Sequence, residues 1–305
     1  MRQSLTLAAL AASLAAPAAA QTQAPPLSDI SIGEAEVAGE ARTGVQAPAP
    51  SEAERASLAA AIERGRLLFA LARAGQVTTR DMLARIPDPA AAGIAGWVAV
   101  PEGDGLTVTY YAEGEAGPVA VYRAQVAGDG RLTGQEVFEG AARPALGAVE
   151  RRLAAARAAV ANLDRQPCGR DFNVFPIPPA SADGPIDVYK ISPQSGPGRY
   201  PLGGHFRATV APDGTISSTR AFANRCLDLS AGLELAGQAP RPIAVTHLLD
   251  PLPTEIHVFL SLWMNRPLLV VTGENRSFTV VRGRIGIVPP VQAASQTPPP
   301  PGPGR

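Results

Sequence analysis

Residues 245–259 read VTHLLDPLPTEIHVF and hold two of the chain's three histidines. How this stretch is divided decides the fold of the C-terminal half. Divided into two strands, Ile243 to His247 and Glu255 to Leu260, joined by a Pro-rich loop, it belongs to an antiparallel sheet. Successive side chains of a strand point to opposite faces. Ile256, Val258 and Leu260 then share an apolar face, and Glu255, His257 and Phe259 the other. His247 stands at the mouth of the same loop. The third histidine, His205 in GGHFRATV, shares a polar strand face with Arg207 and Thr209. Three imidazoles and a carboxylate have the chemistry of a zinc shell, with Asp250 as a backing partner or base. The spacing matches no metal motif, and histidines on an exposed sheet need no partner. The reading adopted is therefore a strand–loop–strand with a contact surface on its loop, as loops held by a rigid sheet often provide. No cofactor is expected.

The rest of the C-terminal half fits a sheet. IDVYKIS, GHFRATVAP, TISSTRAFAN, PIAVTHLL, PLLVVTG and SFTVVRGRIGIV are strand-like runs between turn residues. NRP at 265–267 reads as a hairpin turn. The two cysteines, Cys168 and Cys226, pair as one disulfide in an exported chain. Closing a loop of that size is worth about 4 kcal/mol by chain entropy. The bridge also argues against a cysteine nucleophile.

Upstream, Ser51 and Glu54 make a capping-box pattern. A helix is expected from Ser51 to about Ala74, ended by Gly75, with a shorter one after Thr79 that stops before Pro87. Next, GWVAV, GLTVTYYA, PVAVYRAQVAG and RLTGQEVFE read as an antiparallel meander. A helix from Pro144 then carries Leu146, Val149, Leu153, Ala156, Val160 and Leu163 on one stripe. The fold class is α+β: a helix-flanked antiparallel β-meander, then a larger disulfide-bonded antiparallel β-sheet. One echo crosses the two halves. YRAQVAGDGRLTGQEVFEG at 122–140 parallels FRATVAPDGTISSTRAFAN at 206–224, either as two ordinary Asp-Gly hairpins or as a duplicated unit.

The ends set the compartment. Arg2, the apolar run from Leu5 to Ala15 and Ala18-Ala19-Ala20 have the three parts of a secretory signal, giving residues 1–20 as leader. Residues 21–50 read as a disordered Ala/Pro-rich linker and 289–305 as a Pro-rich tail. Between them lie 51–165, helices plus meander, and 166–288, mostly antiparallel β. Lys plus Arg and Asp plus Glu both number 27, so no basic excess points to nucleic acid. No later run reaches the ~20 apolar residues of a membrane helix. Lys190 is the chain's one lysine and nothing around it suggests Schiff-base chemistry. GxSxG, HExxH, P-loop and GxGxxG-after-strand patterns are absent.

These features predict a periplasmic or secreted protein, more a binding or structural module than an enzyme. Its partner would be a cell-envelope protein or a small molecule. The alternative is a metal-dependent hydrolase using His205, His247, Glu255 and His257.

Overall fold

A computed structural model describes residues 50–169, 171–230, 241–273 and 276–289. The leader, nearly all of the linker and the tail from 290 lie outside the described residues. Helix α1 (Glu52–Arg85) opens on Ser51, whose hydroxyl accepts from the Glu54 N–H while Glu54 accepts from the Ser51 N–H. It runs as one helix of 34 residues rather than the two expected. Gly75 stays helical because a neighbour needs its missing side chain. A Cβ there would lie 2.8 Å from the Trp97 ring. Thr78, buried one turn on, returns its hydroxyl to the Ala74 carbonyl. Packing thus overrides the local stop signal.

The meander forms as expected: β1 (Ile94–Glu102), β2 (Gly105–Ala112), β3 (Val119–Val126) and β4 (Leu132–Val137) pair antiparallel in sequence order. Helix α2 (Ala148–Ala159) follows, with Leu153, Ala156 and, just past its end, Val160 buried. A second four-stranded antiparallel sheet then assembles from β5 (Asn173–Pro176), β6 (Ile186–Ile191), β8 (Phe206–Val210) and β9 (Ile216–Ala221). Between them, β7 (Arg199–Pro201) pairs with β10 (Asp228–Ser230). The Cys168–Cys226 disulfide, with Cα atoms 5.4 Å apart, fastens the segment before β10 to the segment before β5. The fold class is α+β. The strand-rich C-terminal half is divided among three sheets.

The segment expected as a strand at 255–260 is instead helix α3 (Glu255–Met264). It connects β11 (Ile243–His247) to β12 (Leu268–Thr272), which pair in parallel. Two parallel strands need such a crossover. Strands β13 (Ser277–Val281) and β14 (Arg284–Val288) complete this sheet antiparallel. Asn265 is no hairpin residue: it ends α3 in the left-handed conformation, φ 51°, as a C-terminal cap does.

All described residues belong to one compact unit. One core joins α1 and α3 to Val108, Tyr110 and Tyr122 of the first meander and Phe175, Tyr189 and Ile191 of the second sheet. A second core sets α2 between Val98, Tyr111 and Ala120 on one side and Ile186, Val188, Ala208 and Val210 on the other. Packing therefore runs across the expected boundary at 165/166.

Helices α1 and α3 meet at Gly65. A Cβ on Gly65 would fall 2.5 Å from Val258 Cβ and 2.6 Å from the Glu255 carbonyl oxygen. Helix propensity alone favours Ala over Gly by about 1 kcal/mol. Overpacking typically costs about 1–3 kcal/mol, and a backbone carbonyl cannot swing aside. Gly65→Ala is therefore expected to lower the melting temperature. A rise would show that α3 does not lie against this turn of α1.

Candidate functional site

Buried polar groups gather where β11, the N-terminus of α3 and the second sheet meet. The route there begins with the β11–α3 loop. Asp250 receives two donors on one oxygen: His247 Nε2 at 2.8 Å and an Arg220 guanidinium nitrogen at 2.7 Å. A carboxylate only accepts, so the His247 proton sits on Nε2. Leu252 then turns inward against Leu58 and Phe278. Leu248 and Leu249, just before Asp250, remain 75 % and 44 % exposed.

Thr254 caps α3, and His257 occupies the position where a capping box carries Glu or Gln. His257 Nδ1 accepts the Thr254 N–H at 3.0 Å, and the Thr254 hydroxyl lies 3.1 Å from the same nitrogen. Nδ1 is thus unprotonated. The ring stands edge-on to His247, centroids 4.6 Å apart. Burial, then the neighbouring His247 and His205, push its pKa down to about 3.

Glu255 is buried and faces the second sheet. Tyr189 donates its phenol to it at 2.8 Å, and Arg207 lies 3.4 Å away. Burial first, then this carboxylate, hold the Tyr189 phenol well above its usual range. Nearby, Arg64 of α1 reaches Asp187 of β6 at 3.5 Å.

His205 belongs to a different arrangement. It is fully buried, accepting the Ser192 N–H on Nδ1 at 3.2 Å and donating from Nε2 to the Pro201 carbonyl at 2.8 Å. Burial pushes its pKa down to about 4 although the Pro201 carbonyl acts the other way. Both ring nitrogens are spent on the backbone, so the ring cross-links β7 to the end of β6.

The four residues of the zinc-shell alternative fall into separate arrangements. His247 and His257 touch, with Asp250 on His247. Glu255 points to Tyr189 and Arg207, and His205 to Ser192 and Pro201. Among the described residues, no group of three or more His, Cys, Asp or Glu side chains is placed to hold a metal ion. The strand reading put Glu255 and His257 on one face. Two positions apart on a helix, they point to different neighbours.

Sequence reasoning missed Arg220 and Tyr189, which reach Asp250 of the loop and Glu255 of α3 from strands distant in the chain. It also missed Thr254-x-x-His257 as a helix start. The signal was present in Pro253 before the cap and in Asn265 and Pro267 after the end. Lys190 is buried, with Nζ 3.2 Å from the Leu163 carbonyl and 4.8 Å from the centre of the Phe172 ring. It closes the C-terminal end of α2, and burial lowers its pKa.

No family model, curated protein or solved structure matches this chain.

The two buried histidines give a pH dependence with a definite sign. Both have folded pKa values below the ordinary ~6.5 of the unfolded chain, so unfolding takes up protons between those limits. Stability is greatest above pH 6.5 and falls as pH drops toward 4 and 3. The slope is up to about 1.4 kcal/mol per pH unit for each ring. Urea melts at pH 7.5 and 5.0 test this in a window above most carboxylate titration. Equal or greater stability at pH 5.0 would contradict it.

Proposed function

We propose that this chain is an exported, non-enzymatic module of the cell envelope that binds a partner through the β11–α3 loop. One observation carries the reading. Leu248 and Leu249 stand out into solvent on a loop fastened immediately behind them. Asp250 is tied to β11 and β9, Leu252 is anchored in the core, and Pro251 and Pro253 restrict the backbone between. Such a loop holds its binding shape before contact, so little ordering entropy opposes association. Two adjacent leucines at its tip present apolar surface to solvent, the kind of feature that marks a contact site.

Export is supported by the three-part leader in the sequence and by the disulfide, which persists in oxidising compartments. Among the described residues no helix is long and apolar enough to cross a membrane. The non-enzymatic reading draws on the engagement of the cluster. His205, His257, Glu255 and Asp250 are each bonded to protein groups.

The test compares the mature protein with its Leu248→Ser/Leu249→Ser variant as immobilised bait for solubilised envelope proteins and small envelope molecules. Exposed side chains leave folding intact, so the two melting temperatures should agree within about 2 °C. Wild type is expected to retain a component that the variant loses. Retention by both would remove the loop from the reading, and no retention by wild type would overturn it.

A further inference from the structure

The loop is closed by a histidine that must remain unprotonated, and this gives it a control. We propose that acid releases the β11–α3 loop through His257, whose Nδ1 holds the first turn of α3 only while it carries no proton. The inference rests on the loop reading above and concerns how that surface is regulated.

Nδ1 lies 3.0 Å from the Thr254 N–H, which can only donate, and 3.1 Å from the Thr254 hydroxyl, which can also accept. Nδ1 has one lone pair, and the Thr254 N–H occupies it. A proton on Nδ1 would turn the acceptor into a donor facing another donor. It would also place a positive charge in the first turn of a helix, where the macrodipole is already positive. Glu or Gln at this position of a capping box never meets that conflict near neutral pH.

The surrounding groups sharpen it. From β11 comes the His247 ring, in edge contact. From β9 comes Arg220, and from the turn before β8 His205, both acting against a charge on His257. The loop contributes Asp250, committed to His247 and Arg220. The helix itself contributes Glu255, committed to Tyr189 and Arg207. No carboxylate is free in this set to receive an imidazolium. The closed state therefore refuses the proton, and the open state accepts it with an ordinary imidazole affinity.

Linkage sets the size of the effect. An opening that frees one histidine of pKa ~6.5 gains population as pH falls, by roughly 30-fold between pH 7.5 and 5.0. The consequence is local. Thr254, His257 and the loop carrying Leu248 and Leu249 let go together, while the sheet behind them stays paired.

Native-state amide hydrogen exchange on the full mature chain tests this, corrected for intrinsic rates and run where exchange reports the opening equilibrium. The Thr254 amide is expected to lose roughly 30-fold protection from pH 7.5 to 5.0. It should remain less protected throughout than Val270, in the middle of its sheet. His257→Gln keeps an acceptor at the capping position and removes the titration, so its Thr254 protection should be flat over the same range. Thr254 protection that ignores pH in wild type, a dependence that survives in His257→Gln, or Thr254 and Val270 protection that coincide would each overturn the proposal. The measurement needs no partner, so its failure leaves the Leu248/Leu249 test standing. Failure of that test likewise leaves this one readable.

Discussion

Glu255 is the point at which the separate parts of this molecule are tied together. Its carboxylate takes the Tyr189 phenol and the Arg207 guanidinium from the second sheet. Its carbonyl lies against Gly65 of α1. Its position, first in α3, fixes where the β11–α3 loop must end. A negative charge at a helix N-terminus is favourable in itself, and here it is also the socket for the neighbouring layer. The other two helices use the same device. Glu54, in the first turn of α1, meets Arg276 at 2.5 Å. Glu150, in the first turn of α2, accepts from Thr109 at 2.6 Å, with Arg123 3.7 Å away. Each helix thus meets an arginine with an acidic first turn: Arg123 of β3, Arg207 of β8 and Arg276 just before β13.

The dockings of α2 and α3 match each other through the repeat in the chain. Hairpin β3–β4 and hairpin β8–β9 share a register. Tyr122 faces Val137 as Phe206 faces Ala221, and Val126 faces Leu132 as Val210 faces Ile216. Each carries an irregularity just before that last pair. Each turn closes with an aspartate side chain accepting the N–H two residues on. Arg123 corresponds to Arg207, and their cross-strand neighbours on the preceding strand, Thr109 and Tyr189, to each other. In both units this pair holds a carboxylate in the first turn of the next helix. The opposite face of each unit packs on the preceding helix: Val108 joins the α1 core, and its counterpart Val188 the α2 core. The architecture is a helix–meander unit used twice, head to tail, with α3 received by the second copy.

Much of this was legible in the residues. The capping box at Ser51 and Glu54, the Asp-Gly turns and the four strands of the meander follow from local chemistry, and the pairing of Cys168 with Cys226 from there being two cysteines in a chain read as exported. What failed did so for definable reasons. In α3, Ile256, Val258, Phe259 and Leu260 are all buried. A helix covered on every side has no polar face, and its apolar run reads as well for a strand. Gly75 carries a stop signal that only Trp97, on β1, explains. The zinc-shell alternative drew on the nearness of His247, Glu255 and His257 in the chain, but two positions on a helix turn Glu255 and His257 to different sides, and the backbone around β7 claims His205. The partners that decide each side chain's role, Arg220, Tyr189 and Ser192, are distant along the chain.

The most direct test of the account is the strength of the tie at Glu255. A double-mutant cycle with Glu255→Gln and Arg207→Met, read by chemical denaturation at pH 7.5, isolates the interaction between the two groups. A charged, partly buried contact of this kind predicts a coupling energy of about 1 kcal/mol or more, with each single variant destabilised. Additive single effects and a coupling indistinguishable from zero would mean that α3 is not docked on the second sheet through this pair, and the tie would be contradicted.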